Sequence, residues 1–370
     1  MKTVWQFIKK NTVFSIAWIL AIITIILVPF DKEYLTYFDF KTLCCLFCAL
    51  AVVCALRHIY FFQIVAKKIV CVFKNTRTAI LALVYITFIG SMLIANDMAL
   101  ITFLPLGYFV LSQTNHKELM SFTFIMQNIA ANLGGMLTPF GNPQNLYLYS
   151  FFKIPTLEFF KIMFPPFIIA ITLITICCLF IKKEPLSLSD SEKDIRLNVK
   201  RTTIYSILFV LSIAIVFNAV PYAIGFLVIV LSMLYLDRDA LKEVDYGLLL
   251  TFCAFFIFSG NLARIGAVKD FLNFLVSKNT LLVSVLSCQV ISNVPSAVLL
   301  SRFTTDYPAL LIGVNIGGTG TPIASLASLI TLGQFSKHEP TKIKQYMLQF
   351  TIYNFSILLI LLVSSLIMYR

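Results

Sequence analysis

Asn315-Ile316-Gly317-Gly318-Thr319-Gly320-Thr321-Pro322-Ile323-Ala324-Ser325-Leu326-Ala327-Ser328-Leu329 interrupts an apolar segment long enough to cross a bilayer. It is crowded with glycine, proline and hydroxyl side chains, which break helices. A near copy stands 183 residues earlier, Asn132-Leu133-Gly134-Gly135-Met136-Leu137-Thr138-Pro139-Phe140-Gly141-Asn142. Both share the frame Asn-x-Gly-Gly-x-x-Thr-Pro. Irregular backbone at membrane depth survives only where protein buries it or where it lines a wet cavity. Matching breaks in two halves of a chain point to a binding site at the interface between repeats.

The surrounding composition fits that setting. Of 370 residues 59% are hydrophobic and 12% charged, and the mean hydropathy is +0.91. No soluble domain needs so much apolar surface, so the fold class is an all-α polytopic membrane protein. The net charge of +12 reflects basic loops on one side of a membrane, and no nucleic-acid partner is expected. Nine cysteines lie mostly inside apolar runs, with Cys45-x-x-Cys48 as a lone pair, and His58, His116 and His338 fall at or near loops. Neither type is spaced to hold a metal.

Working outward, spans are expected near 12–30, 42–63, 159–181, 203–217, 221–236, 247–263 and 347–369. Met1 to Lys10, with Trp5, reads as a basic amphipathic opening. Ala66 to Arg77 reads as a basic surface segment. Residues 79–112 and 280–303 each read as two short helices meeting at a polar tip, Asn96-Asp97 and Ser292-Asn293. The broken motifs occupy 119–150 and 308–334. Other landmarks recur in the same order: Asp39 answers Asp245, and Lys74-Asn75-Thr76 answers Lys278-Asn279-Thr280. The chain therefore divides into a first repeat (1–181), a cytoplasmic linker (182–201) and an inverted second repeat (202–370), with about nine full spans if both hairpins re-enter.

Lysine and arginine placement agrees. With the N-terminus in the cytoplasm, 20 of the 29 basic residues fall in inner segments and the other nine in outer ones. That is the positive-inside bias expected of a plasma-membrane protein. A hairpin that fully crossed would reverse the later loops and weaken it.

The candidate binding residues follow from the breaks. A tip exposes the N–H groups of one short helix and the carbonyls of another. Helix N-termini favour an anion, while carbonyl, amide and hydroxyl oxygens favour sodium. Asn96, Asp97, Ser292 and Asn293 come from the tips, and Thr138, Gly141, Asn142, Thr321, Ala324 and Ser325 from the breaks. A sodium ion is the one cofactor considered, at Asn96, Asn142, Asn293 and Ser325. Asp97 is the only acid well inside an apolar segment, a place where ionisable groups bind cations or carry protons. No Gly-x-Ser-x-Gly elbow, His-Glu-x-x-His or pair of intramembrane aspartates supports an enzyme.

Three stretches carry a resemblance: Ala95-Asn96-Asp97 with Leu104-Pro105, Ser292-Asn293-Val294-Pro295, and Gly317 through Ala327. On these the chain resembles the ion transporter superfamily, which includes divalent anion:sodium symporters such as citrate and dicarboxylate carriers, arsenite efflux pump subunits and a sodium/proton antiporter branch. The resemblance implies alternating access by a secondary carrier of a small anion, coupled to sodium or protons, and often a homodimer in the lipid bilayer. Arsenite or antimonite efflux and sodium/proton antiport are the alternatives it carries. In the dicarboxylate branch each tip reads Ser-Asn-Thr; here the tips read Ala-Asn-Asp and Ser-Asn-Val.

Overall fold

A computed structural model describes residues 12–70, 72–186 and 198–369, and every regular element among them is a helix. The basic opening with Trp5 and the middle of the linker fall outside the described residues. Six helices precede the first break or form its near half: α1 (Thr12–Leu27), α2 (Phe40–His58), α3 (Phe61–Val70), α4 (Thr76–Ile94), α5 (Asn96–Gln113) and α6 (Met120–Gly134). Beyond it come α7 (Pro143–Phe151), α8 (Thr156–Leu179), α9 (Val199–Val216), α10 (Tyr222–Leu236), α11 (Arg238–Lys242), α12 (Tyr246–Leu262) and α13 (Gly266–Lys278). The last five are α14 (Thr280–Ile291), α15 (Asn293–Leu300), α16 (Tyr307–Ile316), α17 (Leu326–His338) and α18 (Ile343–Met368).

Recurring residues start recurring helices. Asp39 caps α2 by accepting from Thr42 N at 3.0 Å, and Asp245 caps α12 by accepting from Leu248 N at 2.9 Å. Asn75 caps α4 through Thr78 N at 3.0 Å, and Asn279 caps α14 through Leu282 N at 2.8 Å. Such caps satisfy N–H groups that a helix start leaves bare. The two acids before the spans thus shape the fold rather than the site.

Among the described residues five helices are long and apolar enough to cross a membrane: α2, α4, α8, α9, and α18 with the turn before it (Pro340–Met368). A sixth arises if the bent pair Arg238–Leu262 and Gly266–Lys278 counts as one. Shorter apolar helices such as α10 and α16 accompany them. Large apolar side chains face outward, among them Ile19 and Ile26 on α1, Leu231 on α10 and Leu359 on α18. Lipid is the solvent that accepts such a surface.

Several boundaries differ from the sequence reading. The second span ends at His58, and a separate helix, α3, follows the turn at Tyr60, burying Ala66 while Lys68 stays exposed. No helix was expected where α13 lies. The two tipped pairs are also unequal: α4 and α5 have 19 and 18 residues, against 12 and 8 for α14 and α15. At 1.5 Å per residue the last two extend only about 18 and 12 Å.

Packing is crosswise between the halves. In the first pair both helices pack on α6 of their own half and α5 also on α17 of the other; in the second both pack on α16 of their own half and α15 also on α7 of the other. Outside this unit α2 packs against α9 and α10, and α12 lies between α1 and α15.

Candidate functional site

Both tips turn on a residue with positive φ, Ala95 at 63° and Ser292 at 78°. The next residue begins a helix and folds its side chain back: Asn96 Oδ1 accepts from Asp97 N at 3.0 Å, and Asn293 Oδ1 from Val294 N at 2.9 Å. The threonines of the duplicated motif tie each break to its own hairpin. Thr138 Oγ1 donates to the Met92 carbonyl at 2.7 Å, and Thr321 Oγ1 to the Gln289 carbonyl at 3.0 Å. Gly141 N and Ala324 N close matching turns onto the carbonyls of Thr138 and Thr321, at 3.2 and 3.1 Å.

The motif asparagines join the halves. Asn132 Nδ2 donates to the Asn128 carbonyl at 3.2 Å, and Asn315 Nδ2 to the Leu311 carbonyl at 2.8 Å. A backbone carbonyl only accepts, so each amide is fixed with its oxygen outward. Asn132 Oδ1 then receives Ser325 Oγ at 2.7 Å and Asn96 Nδ2 at 3.2 Å. Asn315 Oδ1 receives Asn142 Nδ2 at 3.3 Å and Gln144 Nε2 at 3.5 Å. Each half thereby supplies the acceptor for a side chain of the other.

The second tip is the more closed. Asn293 N donates to the Ala324 carbonyl at 2.9 Å, where Ser292 Oγ also donates at 3.2 Å. Val294 N is held by Asn293, and Pro295 has no N–H. Gln289 pins the second break, with Nε2 to the carbonyls of Gly317 and Thr319 and Oε1 accepting from Thr321 N. In the first break Asn145, on α7, takes that part, donating to Gly135, Met136 and Thr138 carbonyls.

Between the tips lies a small, partly open cavity of about 40 Å³, enough for an ion or a few waters. Asn96, Asp97, Ser292, Asn293 and Ser325 line it, as expected of candidates from both halves. Thr138, Gly141, Asn142, Thr321 and Ala324 do not; they stand behind it and hold its walls. Gln144 and Thr251 line it as well and were not anticipated, nor were the bracing roles of Asn132, Asn315 and Gln289. Asn132, Gln144 and Asn315 sit inside or beside the duplicated motif, so the signal for them was there. Nothing in the sequence marks Thr251 or Gln289. No lysine, arginine or histidine is among the described lining residues.

A family model described as citrate transporter matches residues 3–306. The chain belongs to the citrate transporter family. An uncharacterized transporter of Methanocaldococcus jannaschii is 36% identical over 297 residues, 80% of either chain. The inner membrane protein YbiR of Escherichia coli is 29% identical over 282 residues, 74% of this chain and 73% of the relative. This family member is a multi-pass membrane transporter, and its kinship lies within the ion transporter superfamily that the tips and breaks resemble.

Proposed function

We propose that this transporter is a secondary carrier of a small anion, citrate-like carboxylates first among carboxylates and inorganic oxyanions, coupled to sodium or protons. The observation that carries the reading is the meeting of both tips and of both helices after the breaks around one small cavity. The start of α5, where the Asn96 side chain takes only the Asp97 N–H, suits a carboxylate. With no basic side chain in the lining, an anion beside Asp97 requires an accompanying cation. Alternating access then moves the two hairpins and broken helices against α1, α2, α9, α10 and α12.

The same reading takes the halves as inverted repeats with re-entrant hairpins, about nine crossings, a cytoplasmic N-terminus in the cell membrane, and a homodimer. Helices as short as α14 and α15 cannot each cross about 30 Å of hydrocarbon, which supports re-entry of the second hairpin; the first is built of longer helices than the sequence reading expected, and α4 is long and apolar enough to cross. Contacts also join segments that the charge count put on one side: Arg57 with Glu243 and Thr76 with Glu184 at the inner end, Arg264 with Asp31 and Tyr307 with Glu158 at the outer.

Uptake of labelled citrate into vesicles holding the purified protein tests this. Saturable uptake driven by an inward sodium or proton gradient is expected, lost in Asn96→Ala and Asn293→Ala proteins that remain monodisperse. No gradient-driven uptake of citrate, other carboxylates, sulfate, phosphate or arsenite by wild-type protein overturns it.

A further inference from the structure

At the end of the bundle where Arg57 meets Glu243, a histidine stands between two acids. His58 closes α2, and its ring reaches the residues at both ends of α11. Nδ1 lies 3.1 Å from Asp237 Oδ2 and 3.3 Å from Asp237 Oδ1, and Nε2 lies 3.1 Å from Glu243 Oε2. A carboxylate only accepts, so both contacts are hydrogen bonds only while both ring nitrogens carry protons. A neutral imidazole donates once and turns a lone pair toward the other acid.

The two acids are not equally provided for. Glu243 is exposed and also holds Arg57. The Asp237 side chain is only 9% exposed. It accepts from Ala240 N at 3.1 Å, which caps α11, and from the hydroxyl of Tyr205, on α9, at 3.4 Å. Both of those donors are uncharged. Among the described residues His58 is the one cation in ion-pair contact with Asp237. A nearly buried carboxylate that loses its counter-charge destabilises whatever holds it in place. The other charged groups nearby do not replace the ring: Lys242 pairs with Asp239 at 2.7 Å, and Arg201, on α9, lines the same cavity without an ion pair to either acid. That cavity, of about 540 Å³, is open, so protons reach the ring from water.

We propose that protonated His58 is a clamp that ties the corner between α10 and α12 to the end of α2, and that a rise in pH releases it. The corner leads into the candidate site. Asp237 opens α11, Glu243 follows its last residue, and Asp245 caps α12, whose Leu248, Thr251 and Phe255 line the cavity between the tips. One bound proton therefore steadies the wall that α12 supplies. Below about pH 6.5, the ordinary value for histidine, the ring carries both protons and the clamp is closed. In alkali the ring keeps one acid and lets the other go.

Deuterium exchange into the backbone amides of 237–248 tests this, in the full chain in detergent, with no anionic substrate, and corrected for the intrinsic pH dependence of exchange. Wild type is expected to protect these amides about tenfold more at pH 6 than at pH 8.5, as losing one charge-assisted hydrogen bond does to a local opening. Amides of α18 show no such change. His58→Gln, neutral throughout, gives the pH 8.5 level at both pH values. Asp237→Asn leaves the histidine in place and removes most of the difference, which keeps the experiment decisive if the glutamine variant does not fold. Equal protection of 237–248 at the two pH values in wild type, or a difference undiminished by either substitution, overturns the proposal. No substrate enters the experiment, so the result stands whatever becomes of the carrier reading.

Discussion

Asn132 and Asn315 each bind a carbonyl four residues back with their nitrogen, and each offers its oxygen to side chains from the opposite half. Replacing Asn315 with alanine strands Asn142 Nδ2's inter-half bond and leaves Gln144 Nε2 buried without its acceptor. A loss of about 1–3 kcal/mol per stranded group is expected, read as a lowered unfolding midpoint in detergent. The pairing also explains what could be read in advance at this scale. A duplicated motif announces that its asparagines matter, because chance does not repeat Asn-x-Gly-Gly-x-x-Thr-Pro. It does not announce partners, since Ser325 reaches Asn132 across 193 positions. Gln144 stands beside the motif, but only the orientation of Asn315 shows that its oxygen is left over.

At the scale of elements, the tips are held against local preference. Ala95 has φ 63° and ψ 150° at the junction of α4 and α5, a region that side chains other than glycine rarely adopt. Ala95→Gly removes strain of about 1–3 kcal/mol against an unfolded-state penalty of about 0.4–1 kcal/mol, so the variant should unfold at a higher temperature. Gly134 gives the opposite case. It ends α6 where α4 crosses, and a Cβ there would collide with the Phe88 carbonyl, which is backbone and cannot swing aside. Gly134→Ala is expected to destabilise by about 2 kcal/mol or more, as overpacking does, measured by the fraction remaining monodisperse after heating. The sequence marked these junctions to within a few residues because proline, glycine and polar side chains punctuate apolar runs. It did not separate α2 from α3, since Ile59-Tyr60 carries no such mark and the turn comes from Tyr60 at φ 56°.

For the whole molecule, ion pairs gather at the two ends of the bundle. At one end Arg264 holds Asp31 through Nη1 and Nη2 at 3.1 and 2.6 Å, and these bonds keep the Asp31 carboxyl below the ordinary carboxylate range. A depressed folded value supports the native state above the unfolded value of about 3.9. That support fades as the pH falls through Asp31's own, lower value. Asp31→Asn should therefore lower the unfolding midpoint slightly at pH 7, and the gap from wild type should close in acid below that range and shrink in high salt. The count of twenty basic residues against nine assigns sides to segments without naming a single contact. Which helix meets which was not legible, because apolar faces of similar composition do not name their neighbours.

The swapped asparagine bonds have a consequence for how such a chain came to exist. The main groups of the exchange recur in both halves in recognisable form: an asparagine anchored to its own helix, and a polar residue, Asn142 or Ser325, opening the helix beyond the break. A lone half could meet its complement in a second copy of itself. Duplication and fusion would then have released the twin copies to drift apart, letting an aspartate at one tip and a proline at the other settle where a pair of identical subunits could never have differed.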